Sequence, residues 1–136
     1  MRDSYFIDSN ILIYAHTIQD ERKKNIAQKI LSLEQEILLN TQVVNESINI
    51  FIKRFRMPSN DIKKIVSEVI FYLPVRTINT KTIQLGLDIH KKYQYSYYDS
   101  LIIASALENK CSILYSEDLQ HNQNIEERLI IINPFI

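Results

Sequence analysis

Short apolar runs alternating with segments of helical period constrain this chain more than any other feature. Tyr5-Phe6-Ile7, Glu36-Ile37-Leu38-Leu39-Asn40, Val75 to Ile78, Cys111 to Tyr115 and Leu129-Ile130-Ile131-Ile132 read as strands. Between them lie helical segments. Ile11 to Ala15 is short, and Asp20 marks the turn before the helix from Glu21 to about Leu33, with Ile26, Ile30 and Leu33 on one face. Thr41 to Phe55 aligns Val44, Ile48, Phe51, Ile52 and Phe55. After the break at Met57-Pro58, a helix from Ser59 carries Ile62, Ile65, Val66, Val69, Ile70 and Leu73 toward the core. Thr80 caps the next one, which runs to about Tyr93 with Ile83, Leu87 and His90 on one side, and Leu119 to Arg128 reads as loop plus a short helix. Strands separated by helices predict an α/β protein, a mainly parallel sheet sandwiched between helical layers. Right-handed crossovers then gather the carboxyl ends of the strands on one edge.

At 136 residues the chain is expected to form a single domain, 1–136, and no stretch nears the roughly 20 apolar residues of a membrane span. The N-terminus carries no signal-peptide pattern, and the lone Cys111 cannot form an internal disulfide, so a cytoplasmic setting is expected. With 16 basic and 16 acidic residues, overall charge predicts no strong non-specific nucleic-acid binding. The one glycine, Gly86, lies in a helical pattern, which excludes phosphate-cradling P-loops and dinucleotide fingerprints. His16, His90 and His121 lack zinc-site spacing, and Cys111 borders a buried strand rather than a reactive cleft. Carboxylates remain.

Asp8 follows the first strand directly and precedes Ser9-Asn10 and an apolar helix. It is either a cap or part of a site at the strand's carboxyl end, where open α/β sheets bind ligands. Glu46 falls near the start of its helix, off the apolar stripe, where a surface glutamate suits the macrodipole. Ser96-x-x-Asp99 matches a capping box, yet the same position sets a carboxylate in the first turn of a buried helix. Ser116-Glu117-Asp118 repeats the pattern of the first stretch after the Cys111–Tyr115 strand. The predicted topology brings Asp8, Glu46, Asp99 and Asp118 to one edge. Clustered acids raise one another's pKa unless a counter-charge intervenes. Mg²⁺ prefers such oxygen ligands, and a two-metal site activates water and stabilises the leaving oxygen in phosphodiester cleavage.

The chain resembles PIN-domain proteins, specifically VapC-type toxin endoribonucleases. Phe6-Ile7-Asp8-Ser9-Asn10-Ile11-Leu12-Ile13-Tyr14-Ala15 is similar to the family's first motif, Asn45-Glu46 to the second, Ser96-Tyr97-Tyr98-Asp99-Ser100-Leu101-Ile102 to the third and Leu114-Tyr115-Ser116-Glu117-Asp118-Leu119-Gln120 to the fourth. The resemblance implies a PIN-like three-layer α/β/α sandwich with Asp8, Glu46, Asp99 and Asp118 as catalytic, metal-binding acids. Ser9, Asn10 and Ser116 would support them, and Glu117 is an acid beside the fourth position whose part is left open. It further implies Mg²⁺- or Mn²⁺-dependent cleavage of RNA, a homodimer, and inhibition by a small antitoxin protein, as in a type II toxin–antitoxin pair. Tyr97, Tyr98, Lys53, Arg54 and Arg56 are the candidates for contacting RNA. Competing readings are a PIN-like nuclease of RNA processing without an antitoxin and a non-catalytic binding module of the same fold. A phosphoacceptor receiver domain also gathers acids at a sheet edge, but Ser116-Glu117-Asp118 stands where such a domain has a late lysine.

Overall fold

A computed structural model describes residues 3–136. Its elements are β1 (Ser4–Ile7), α1 (Ser9–Ala15), α2 (Glu21–Leu31), β2 (Glu36–Asn40), α3 (Thr41–Lys53), α4 (Ser59–Tyr72), β3 (Val75–Arg76), α5 (Thr80–Tyr93), α6 (Tyr97–Glu108), β4 (Ile113–Tyr115), β5 (Asn124–Ile125) and β6 (Leu129–Ile132). The strands form one sheet in the order β3-β2-β1-β4-β6-β5, parallel except for β5 against β6. Helices cover it as the outer layers of an α/β/α sandwich, as predicted. β1 sits mid-sheet between β2 and β4, which explains why Phe6 and Ile7 are completely buried.

Polar caps turn strands into helices at the carboxyl edge. Asp8 is the N-cap of α1, and Asn40 is both the last residue of β2 and the N-cap of α3. Asn40 is fully buried and satisfied at both ends: Val43 N donates to its Oδ1 at 2.9 Å, and its Nδ2 donates to Ser105 Oγ of α6 at 2.8 Å. α6 is apolar nearly all round and runs through the core, with Ser100 to Leu107 all buried.

Several expected details differ. α2 stops at Leu31, so Leu33 lies beyond it and is exposed; Ile52 and Ile70 are also exposed at the margins of their helices. Asn79 rather than Thr80 caps α5, in a reciprocal capping box with Thr82. The buried face of α5 is Thr82, Gly86 and Ile89, while Ile83, Leu87 and His90 face solvent. Gly86 explains this rotation. A Cβ there would stand 2.9 Å from Leu101 Cδ2, so the glycine lets α5 pack tightly against α6. Residues 119–128 contain no helix; Asn124–Ile125 form the short antiparallel β5 instead. Turns elsewhere use left-handed backbone at Arg56, Gln94, Lys110, Asn122, Glu126 and Glu127, all without glycine.

Candidate active site

The parallel register pairs Ile7 of β1 with Tyr115 of β4, so the next residues on each strand, Asp8 and Ser116, emerge side by side. Ser116 Oγ donates to Asp8 Oδ2 at 2.8 Å, and Ser9 N donates to Asp8 Oδ1 at 2.7 Å. Ser116 is fully buried and Asp8 nearly so. The same Ser116 Oγ accepts from Asp118 N at 3.2 Å, closing the turn that carries Asp118. Asn10 bridges the two strand ends from the other side: its Nδ2 donates to Asp118 Oδ2 at 3.4 Å, and its Oδ1 accepts from Glu117 N at 3.3 Å. Ser9, Asn10 and Ser116 therefore each touch an acid, Ser9 through its backbone.

Glu46 projects from the second turn of α3, half-buried, with Gln42 Nε2 donating to its Oε1 at 3.2 Å. Asp99 lies in the first turn of α6, whose cap is Ser96 Oγ accepting from Asp99 N at 3.2 Å. The capping half of the expected motif is thus present. Burial pushes the Asp8 carboxyl up to about 7, against the pull of its hydrogen bonds from Ser116 and Ser9, and Glu46 and Asp99 raise it further. Glu46 is also held above its ordinary value, first by burial and then by Asp99 and Asp118, while the bond from Gln42 works the other way. The four carboxylates share one electrostatic field.

Glu117 behaves differently from Asp118. Tyr14 Oη donates to its Oε1 at 2.7 Å and Lys23 Nζ to its Oε2 at 2.5 Å. Both carboxylate oxygens are committed to α1 and α2, away from the four acids. Tyr14 and Lys23 were not singled out from sequence, and neither was Gln42, although its position four residues before Glu46 on one helix carried the signal. Cys111 is buried, and burial pushes its thiol up to about 12, which suits a packing residue.

No Lys or Arg side chain among the described residues forms an ion pair with Asp8, Glu46, Asp99 or Asp118. Nor do any three His, Cys, Asp or Glu among them stand close enough to enclose one metal ion. The donor set is nevertheless that of a hard cation: carboxylate oxygens in a shared negative field. Mg²⁺ keeps several waters and binds through one or two carboxylates plus substrate phosphate, so a closed cage is not required. The residues fit such an ion.

An acid-edged, mainly parallel α/β sandwich is the class that fold and site define. Three solved structures are similar to this chain in fold: a toxin–antitoxin complex from Klebsiella pneumoniae (14% identity, TM-score 0.71, covering 96% of this chain and 97% of that one), VapBC2 from Rickettsia felis bound to a promoter DNA fragment (14%, 0.68, 94% and 96%), and the sarcin–ricin loop cleaving toxin VapC20 of Mycobacterium tuberculosis (12%, 0.67, 81% and 86%). The PIN domain model matches residues 5–124, and the chain belongs to the PIN domain family. No curated protein matches it in sequence. No helix among the described residues is long and apolar enough to cross a membrane.

Proposed function

We propose that this chain is a divalent-cation-dependent endoribonuclease, the toxin of a type II toxin–antitoxin pair, acting as one domain over residues 1–136. The observation that carries the reading is the buried Asp8, pushed up to about 7 amid Glu46 and Asp99. A buried carboxylate beside two other acids, with no ion-pair partner among the described residues, favours a bound cation. Asp8, Glu46, Asp99 and Asp118 would hold Mg²⁺ or Mn²⁺, which when bound neutralises the scissile phosphate and activates water. The remaining work falls to the chain. Ser116 and Ser9 fix the two oxygens of Asp8, Asn10 tethers Asp118, and Gln42 steadies Glu46. Membership of the PIN family supports nuclease chemistry. The likeness to toxins seen in toxin–antitoxin complexes supports an antitoxin partner, as do exposed Ile70, Phe71 and Tyr72 at the end of α4. A homodimer and a cytoplasmic setting belong to the same reading.

The test is cleavage of structured RNA by the purified chain with Mg²⁺ or Mn²⁺. Asp8→Ala and Asp99→Ala should abolish cutting while circular dichroism shows the fold intact; parental rates in both would end the proposal. A short neighbouring reading frame whose product binds the chain and blocks cutting would identify the toxin role. Without such an inhibitor, a nuclease of RNA processing is left.

A further inference from the structure

A cavity of about 510 Å³ adjoins the acid edge, with Glu46 on its wall. Leu101 and Ile78 give it an apolar lining, Tyr98 stands beside them 67% exposed, and Gln42 and Asn45 supply amides. We propose that this cavity seats one unstacked RNA base next to the cleaved phosphodiester, with the Tyr98 ring as its stacking face. The proposal rests on the nuclease reading above and names a substrate contact for it.

Among the described residues no lysine or arginine lines the cavity and one carboxylate does, so it disfavours a phosphate and accepts a neutral planar group. Continuity comes next. Glu46 belongs to both the cavity and the acid field, so RNA with a phosphate at the acids brings its neighbouring nucleoside here. The aromatic follows from the same logic. Tyr98 precedes Asp99, and Tyr97 lies 5.8 Å from it, ring centroid to ring centroid, supporting a ring that is otherwise open to solvent. Single-stranded bases are commonly held by stacking on such rings.

Gln42 adds the polar contact. Its Nε2 donates both to Glu46 Oε1 at 3.2 Å and to the Tyr98 carbonyl at 3.0 Å, which fixes the orientation of the amide. Its Oε1 is left buried with no hydrogen-bond partner among the described residues. A buried acceptor of this kind is costly until a donor reaches it. Every nucleobase offers an N–H on its pairing edge, and a small displacement of Tyr98 on base entry would bring that donor to Oε1. The seat therefore selects a base without choosing which one.

The experiment uses an RNA that the parent cuts, remade with a single abasic nucleotide at each position flanking the cut. One flanking abasic position should lower parental kcat/KM about tenfold or more. Tyr98→Ala should show a similar loss on intact RNA and little further loss on the abasic one, while Tyr98→Phe keeps most of the parental rate. Parental cleavage by Tyr98→Ala, or equal abasic penalties in both proteins, overturns the seat. A parent that cuts no RNA defeats the nuclease reading instead. The seat is then read by methyl NMR of Ile78 and Leu101 in Asp8→Asn with a short single-stranded RNA. Shifts that vanish when the RNA is abasic support it, and shifts that are absent or unchanged overturn it.

Discussion

Ser116 Oγ lies 2.8 Å from Asp8 Oδ2 and 3.2 Å from Asp118 N, so one buried hydroxyl joins two acids that are 110 positions apart in sequence. Ser116→Ala would strip a hydrogen bond from a buried carboxylate and loosen the turn at Asp118. The expected cost is about 1–3 kcal/mol in urea unfolding, with a loss of cutting rate larger than any change in KM.

Asp8 gives the cation-free protein a pH dependence of definite sign. Its folded pKa, about 7, lies above the ordinary 3.8, so the folded state binds the proton more tightly than the unfolded chain. The resulting stability is fully present below the ordinary value and is lost as pH rises toward 7. At about 1.4 kcal/mol per pKa unit, the full loss is of order 4 kcal/mol. In chelator, Asp8→Asn should remove this slope and melt above the parent at pH 7.5; identical pH–stability curves for the two proteins would contradict it.

Adding Mn²⁺ should raise the melting temperature of the parent, because a ligand that binds only the folded chain contributes about 2.7 kcal/mol at 100 times its dissociation constant. Asp8→Asn and Asp99→Asn should each blunt the response. A flat response in the parent is the outcome expected of a non-catalytic module.

Glu117 and Asp118 should separate cleanly. Glu117 is held by Lys23 and Tyr14, so Glu117→Gln should cost about 1 kcal/mol of stability and change cutting by no more than a few fold. Asp118→Asn should lose most cutting with little change in melting. Equal losses of activity would return Glu117 to the site.

Much of this was legible in the chain, for local reasons. Asp8 follows an uninterrupted β-favouring triplet, the helical period returns at Thr41, and Ser59 and Ser96 mark helix starts with polar or turn chemistry, so β1, β2, α3, α4 and the start of α6 could be placed to within about two residues. Failures came where partners distant in sequence decide. Ile83, Leu87 and His90 line up on one side of α5, but the close approach of Gly86 to Leu101 puts Thr82, Gly86 and Ile89 in the core instead. Residues 119–128 hold no pattern of their own, and Asn124–Ile125 become a strand only by pairing with β6. Gln42 was overlooked because its significance lies in touching Glu46 and Tyr98 together, and Tyr98 is on another helix.

With a single glycine in 136 residues, the chain makes its left-handed corners from side chains poorly suited to them. Lys110, at φ 57°, follows the end of α6 opposite to Asp99. Such corners are a reserve of untapped robustness: glycine there would relieve backbone crowding and leave the acidic rim alone. Anyone needing a hardier version of this molecule has a place to begin that is remote from its chemistry.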